Sequence, residues 1–257
     1  MKYNSTKDKQ RGGFKNRLFP IKTSAAVLTG KLLISFTRLL GRGGTTLPGR
    51  SALILDRHLV SRLAAQTKRG NLVITGTNGK TTTASLIKNI LRETGAEIVH
   101  NQAGSNMSWG VTTAMVEAAR ISGKLDKDYT VLEVDEGAFP AVVRSVEPSG
   151  IVVTNIFRDQ LDRYGEIDSI QNAISEGLNA QPAGGFRVIN ADDPSLAAFP
   201  KKDEIKLYTY GLELHFESSN DHDTGRDLKT CPLCKRELAY HRLYYAHLGH
   251  YYCPGCS

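Results

Sequence analysis

Two residue groups in this chain have the types and spacing for chemistry. The first is Thr75-Gly76-Thr77-Asn78-Gly79-Lys80-Thr81-Thr82-Thr83, which follows the apolar run Leu72-Val73-Ile74 and opens a segment of helical periodicity. A tight glycine turn there would leave backbone N–H groups aimed at one spot, and the helix after it would add its positive N-terminal end. Lys80 would bring a full charge to the β- and γ-phosphates of a nucleotide, and Thr81 can set its hydroxyl on Mg²⁺. The general pattern G-x-x-x-x-G-K-[ST] would need its first glycine where Ile74 stands, so the loop, with its glycine at Gly76, is a variant. A glycine turn that binds nothing is the plainer alternative.

The second group is the four cysteines, which occur only as Cys231-Pro-Leu-Cys234 and Cys253-Pro-Gly-Cys256, with eighteen residues between the pairs. That spacing suits a tetrahedral zinc ribbon with four cysteine ligands. Four thiolates would close the shell, so such a site would serve structure or docking and would not activate water. His241, His247 and His250 lie between the pairs and are expected at the surface, since the ligand set is already complete.

Three further segments arrive at the ends of apolar runs. Leu132-Glu133-Val134-Asp135-Glu136-Gly137 offers carboxylates that could reach the Mg²⁺ bridging ATP phosphates, or could only complement a helix N-terminus. Thr154 to Tyr164 carries Asp159-Gln160-Leu161-Asp162-Arg163-Tyr164, and Val188-Ile189-Asn190-Ala191-Asp192-Asp193-Pro194 is by its bare chemistry a good turn. A loop of small and amide side chains, Asn101 to Gly110, follows the second apolar run.

The elements that must position these groups alternate along the chain. Short apolar or β-branched runs at 72–75, 97–100, 130–134, 151–155 and 187–190 read as strands, and 82–93, 111–121, 140–146 and 167–178 read as helices. Gly95 suits the C-terminal cap of the first of these helices. The rhythm predicts an α/β fold with a doubly wound, mostly parallel sheet, and ligands beyond the carboxyl ends of its strands.

Charge separates the chain into two parts. Residues 1–70 hold fifteen Lys/Arg against Asp8 and Asp56, whereas the remainder holds 18 basic and 24 acidic residues. Within the basic part Ala25, Leu28, Leu32, Phe36 and Leu39 recur at three- and four-residue steps, as in an amphipathic helix. Packing of that stripe onto the protein's own core is the favoured expectation, and an anionic membrane surface is the alternative. Nucleic acid fits less well, because aromatic residues are not interleaved with the charges. The chain has no apolar run long enough to span a bilayer, and no secretion signal is read at its start. A cytoplasmic protein, peripheral at the inner face of the membrane if the helix touches lipid, is the expectation.

The sequence T-G-T-N-G-K-T-T resembles the ATP loop of the Mur ligase family, the peptidoglycan-building ligases whose relatives include folylpolyglutamate synthetase. The resemblance implies ATP contacts from Gly76, Thr77, Asn78, Gly79, Lys80, Thr81 and Thr82. By position Glu133 is similar to the family's metal-binding glutamate, so Mg²⁺ is expected at Thr81 and Glu133. Asn190-Ala191-Asp192-Asp193 is similar to the family's nucleoside-contacting segment, with Asn190 reading the adenine edge and Asp192 beside it. Asn106 falls in the loop that in the family lies near phosphates and substrate. Asp159 to Tyr164 resembles the family's D-H-x-D-R-Y segment, but Gln160 stands where a histidine helps hold a second metal, and a neutral amide binds a divalent cation more weakly. Residues 167–179 also lack the lysine that amino-acid-adding members modify. Both departures point away from amino-acid ligation.

With the cysteine pairs added, the chain from about Gly41 onward is similar to the MurT-like branch of this family, subunits of lipid II isoglutaminyl synthase. The implied architecture is a basic arm over 1–50, a Mur ligase central domain over 51–225 and a four-cysteine zinc ribbon, inserted or appended, over 226–257. The implied chemistry is ATP-dependent activation of the D-glutamate α-carboxylate in the lipid II stem peptide. Ammonia from a GatD-type glutaminase partner would then give the amide. The family's further C-terminal domain, with a catalytic aspartate and the glutaminase contact, is expected beyond Ser257, so this chain is expected to be incomplete and inactive alone. An amino-acid ligase of the Mur or folylpolyglutamate type, and an ATP-binding zinc-ribbon protein acting on nucleic acid, are the alternatives.

Overall fold

The apolar runs form strands of one parallel sheet because their residues are buried on both faces, as helices packed above and below require. A computed structural model describes residues 21–41, 46–101, 104–157, 166–199, 202–213 and 228–256. Strands β1 (Gly70–Thr75), β2 (Ile98–His100), β3 (Tyr129–Glu133), β4 (Gly150–Val153), β5 (Phe186–Asn190) and β6 (Lys206–Tyr210) lie in the order β2-β3-β1-β4-β5-β6, every pair parallel. The helices are α1 (Ile21–Leu39), α2 (Leu47–Leu55), α3 (Leu59–Ala64), α4 (Lys80–Glu93), α5 (Ser108–Ala118), α6 (Phe139–Val146) and α7 (Glu166–Ala180). The expected doubly wound α/β fold is therefore present. Gln160 and the rest of Asp159 to Tyr164 lie outside the described residues.

Alternation of side chains divides the core into two layers. Val73, Leu132, Ile151 and Val153 face one layer, built with α1, α2, α3, α5, α6 and α7. Their neighbours Ile74, Val131 and Val152 face the other, where α4 supplies Ala84, Ile87 and Leu91. The sequence reading does not anticipate β6, because all five of its residues are exposed and carry no burial signature. Pairing with β5 holds it in the sheet, and the Tyr210 hydroxyl donates to the Thr154 carbonyl at 3.1 Å.

The amphipathic stripe is a correction. Helix α1 does pack on the core, but through Thr23, Ala26, Val27, Gly30 and Ile34. Leu28, Leu32, Phe36 and Leu39 of the expected stripe are exposed, and so is Ala25. Small residues explain the choice of face: a Cβ at Gly30 would meet Val116 Cγ1 of α5 at 2.7 Å, so only this side permits the close approach. Polar ties fix the same orientation, with Thr23 Oγ1 donating to Asp56 Oδ2 at 2.7 Å and Lys31 Nζ donating to the Glu117 carbonyl at 2.8 Å.

After β6 the described chain resumes as a hairpin of β7 (Ala239–Tyr245) and β8 (Leu248–Tyr252), antiparallel and separate from the main sheet. Its core is small: Cys231, Leu238 and Cys253, backed by Leu228, Tyr240 and Tyr251. Among the described residues no helix is long and apolar enough to cross a membrane.

Candidate functional site

Strand β1 lies between β3 and β4, so the chain turns to one side of it for β2 and β3 and to the other for β4, β5 and β6. Sheets of this kind open a crevice at the carboxyl ends where the direction reverses. Register brings Ile74 level with Glu133 and Thr75 level with Val153, which gathers the 76–79 turn, the acidic end of β3 and the 154–157 segment at that crevice.

The turn is strained in the way glycine tolerates. Gly76 has φ of 120° and Gly79 φ of 81°. A Cβ at Gly76 would also meet Thr154 Oγ1 at 2.4 Å. The segment after β4 holds the turn in place. Thr77 N–H donates to the Asn155 carbonyl at 2.8 Å, Asn78 N–H to Asn155 Oδ1 at 2.8 Å, and Thr154 Oγ1 to the Asn78 carbonyl at 2.7 Å. This corrects the simple picture of an open amide cradle, since two of the turn's donors serve the protein itself. The donors left to face an anion are those of the first turn of α4, which begins at Lys80 and has no intrahelical partners for its leading N–H groups. Asn78, Gly79, Thr81 and Thr82 are exposed there, and Thr77 and Lys80 are half-buried.

Lys80 folds back over the turn. Its Nζ donates to the Gly76 carbonyl at 2.5 Å and the Thr77 carbonyl at 3.1 Å, and lies 3.4 Å from both carboxylate oxygens of Glu136. The sequence marks Glu136 only as one of several acids; in the fold it is 8% exposed and faces the lysine directly.

Glu133 ends β3 at 3% exposure, and its Oε2 is buried without a hydrogen-bond partner. Thr75 Oγ1, at the end of the neighbouring strand β1, is also buried without one. Asn101 braces Glu133 by accepting its N–H at 2.9 Å and donating to its carbonyl at 2.8 Å. An orphaned carboxylate oxygen at a strand end suits a hard divalent cation, which prefers one or two carboxylates with water and phosphate oxygens. Asn106 lies alongside, because its carbonyl accepts the Asp135 N–H at 2.9 Å.

The loop after β5 is tightly built. Asn190 Oδ1 accepts the Asp192 N–H at 3.0 Å, and Asp192 Oδ2 accepts the Leu212 N–H at 2.8 Å. Asp193, fully buried, takes the Ile156 N–H on Oδ2 and the Ser195 N–H on Oδ1, both at 2.8 Å. His247 Nε2 reaches the same Oδ1 at 3.2 Å. The expectation that His247 lies at the surface is therefore wrong: it is 1% exposed, 4.9 Å between ring centroids from Phe157, while His241 and His250 are exposed as expected. Gly249 N–H also donates to the Asp192 carbonyl at 2.9 Å. The hairpin thus reaches the loop after β5 and the 154–157 segment that holds the glycine turn.

The sulfurs of Cys231, Cys234, Cys253 and Cys256 all lie within 4.8 Å of one another. Cys234 and Cys253 are 3.4 Å apart, Cys231 and Cys256 3.9 Å. Tetrahedral zinc with Zn–S bonds of about 2.3 Å sets its sulfurs roughly 3.8 Å apart, so this set fits that ion. The Gly255 N–H, the largest influence, pulls the Cys253 thiol down to about 6, and hydrogen bonding with Cys234 pushes Cys256 up to about 12. Four sulfurs this close hold four negative charges only around a cation.

The sequence matches the family profile described as the Mur ligase middle domain over residues 74–237. The chain belongs to the Mur ligase family. It is 38% identical over 231 residues to the protein named lipid II isoglutaminyl synthase (glutamine-hydrolyzing) subunit MurT of Staphylococcus aureus strain COL, covering 89% of this chain and 50% of that one. The MurT of Streptococcus pneumoniae R6 is 36% identical over 237 residues, covering 92% of this chain and 51% of its own. The chain spans about half the length of these curated relatives. Its fold is similar to that of the MurF ligase of Thermotoga maritima solved with ADP, at a TM-score of 0.52 and 18% identity, over 61% of this chain and 36% of that one. For a Mur ligase middle domain, the crevice beyond β1, β3 and β4 is where the expected site residues converge. Gly76 to Thr82, Glu133 and Asn106 border it, whereas Asn190 and Asp192 stand at the end of β5, next to β4. Sequence reasoning missed Asn155, Glu136 and His247 as partners. Asn155, an amide directly after a buried strand, and Glu136, an acid just past β3, had local signals; His247 had none.

Proposed function

We propose that this chain is the nucleotide-binding part of an ATP-dependent carbon–nitrogen ligase of peptidoglycan synthesis, acting on the D-glutamate α-carboxylate of the lipid II stem peptide. In this reading the carboxylate attacks the γ-phosphorus of ATP and ADP leaves. Ammonia from a GatD-type glutaminase subunit then attacks the acyl phosphate carbon, and phosphate leaves the new amide. The observation that carries the nucleotide assignment is Lys80 at the head of α4, held over a glycine turn with the orphaned Glu133 oxygen in the same crevice. The MurT names of the relatives support the carboxylate and the glutaminase partner.

Lys80 and the leading N–H groups of α4 would hold the phosphates and stabilise charge on the transferring group. Thr81 and Glu133 would hold Mg²⁺, which when bound neutralises phosphate oxygens. Asn190 and Asp192 would meet the nucleoside, with Asn106 near the phosphates or substrate. Cys231, Cys234, Cys253 and Cys256 would hold one structural Zn²⁺.

Glu133→Gln keeps the side chain's shape and the Asn101 bonds to its backbone while removing the charge. It is expected to weaken nucleotide binding in Mg²⁺ by on the order of tenfold, as loss of one ionic contact does, and to leave binding in EDTA nearly unchanged. Titrating a fluorescent ATP analogue under both conditions checks this. An equal loss in both would remove Glu133 from the metal.

A further inference from the structure

The side of α1 turned away from the core is apolar along its length. Ile21 is 89% exposed, Leu28 41%, Leu32 62%, Phe36 56% and Leu39 84%, spaced by three, four and seven residues so that they share one face. Exposed apolar residues occur singly on most surfaces, but five in line along nineteen residues of helix form a continuous stripe. The helix is already anchored by its small-residue face, by Thr23 to Asp56, and by Lys31 and Arg38 to Glu117, so the stripe is not needed to hold it in place.

We propose that this stripe seats α1 on an anionic phospholipid surface. The charge around it selects that occupant. From residue 21 to residue 69 the sequence has nine basic side chains, Lys22, Lys31, Arg38, Arg50, Arg57 and Arg62 among them, and its one acid is Asp56. Asp56 is 5% exposed and paired with Arg62, so it offers no negative charge to a partner. Glu117, brought up by α5, is likewise taken by Arg38. The preceding residues 1–20 add six Lys/Arg against Asp8. Large apolar side chains set among cations, with these acids already paired, match acyl chains beneath anionic headgroups. A second copy of the chain fits poorly, because a two-fold contact through this stripe would bring two strongly cationic surfaces together. The helix would lie in the interface, since no described helix is long and apolar enough to span. The surface is independent of the carboxylate chemistry proposed above, and vesicle binding reads it without turnover.

The test is flotation with two kinds of vesicle, phosphatidylcholine alone and phosphatidylcholine mixed with phosphatidylglycerol. The chain is expected to float with the mixed vesicles, weakly with the neutral ones, and less as salt rises. A Leu32→Glu/Phe36→Glu variant should lose at least on the order of tenfold in partition, since it removes apolar contact and adds charge of the wrong sign. Its thermal midpoint should match the parent's, because both side chains point to solvent. Failure of the parent to bind mixed vesicles would overturn the proposal. So would equal binding by the variant, which would assign the attraction to residues 1–20 alone. A parent that sediments as a dimer, and a variant that sediments as a monomer, with neither on vesicles, would assign the stripe to self-association and overturn it equally.

Discussion

Lys80→Ala is expected to lower ATP affinity by about two orders of magnitude, because one ionic hydrogen bond is worth about 1.5–3 kcal/mol and, in the proposed function, this ammonium meets two phosphates. The folded state should survive the change. Lys80 is tied to the Gly76 and Thr77 carbonyls and to Glu136, so its loss removes contacts at the rim of the crevice and none from either apolar layer. A destabilisation of about 1–2 kcal/mol, a few degrees in thermal midpoint, is the expected cost. Glu136 would lose its cationic neighbour at the same time, so Lys80→Ala/Glu136→Gln separates the two effects: stability should recover and affinity should not. Calorimetric titration of an ATP analogue with Mg²⁺ into all three proteins reads both quantities. Undiminished affinity in Lys80→Ala would remove the turn from the nucleotide site.

Removing zinc is expected to have the largest effect on structure, and to confine it. Three buried residues with Leu228, Tyr240 and Tyr251 behind them are too small a core to hold the hairpin. Structural zinc contributes about 10–16 kcal/mol to folding of comparable peptides, so the hairpin should unfold when a chelator takes the ion. Hydrogen exchange should show β7 and β8 losing protection while β1, β3 and β4 keep theirs. The loop after β5 should loosen as well, since Asp193 loses His247 and Asp192 loses the Gly249 contact. Cys231→Ser should reproduce the pattern. Metal analysis of protein purified without added zinc should find about one equivalent. A hairpin equally protected with and without metal would overturn the assignment.

Much of this was legible in the sequence because the relevant signals are local. Leu-Val-Ile before Gly-x-x-Gly-Lys-Thr marks a strand, a turn and a helix start within a dozen residues, and the two cysteine pairs mark each other. What was not legible depends on contacts distant in the chain. The choice of buried face on α1 follows from Gly30 meeting Val116, which a search for large apolar residues inverts. The donors of Thr77 and Asn78 are taken by Asn155, in the segment after β4, which the chain reaches only after β2 and β3. His247 is buried against Asp193, fifty-four residues earlier, and the Phe157 ring. Strand β6 is an exposed edge set by its pairing with β5, from a run that carries no burial pattern of its own.

The proposed function has ATP activate a carboxylate for ammonia and not for an amino acid. It is tested by supplying lipid II, glutamine and Mg·ATP to this sequence, extended to the length of its curated relatives and mixed with a GatD-type glutaminase, while following ADP and the mass of the stem peptide. ADP release is expected to be coupled to conversion of one carboxyl to a carboxamide, dependent on glutamine or ammonia and abolished by Lys80→Ala. ADP release driven by a free amino acid, with that amino acid joined to the acceptor and no need for the glutaminase, would contradict it.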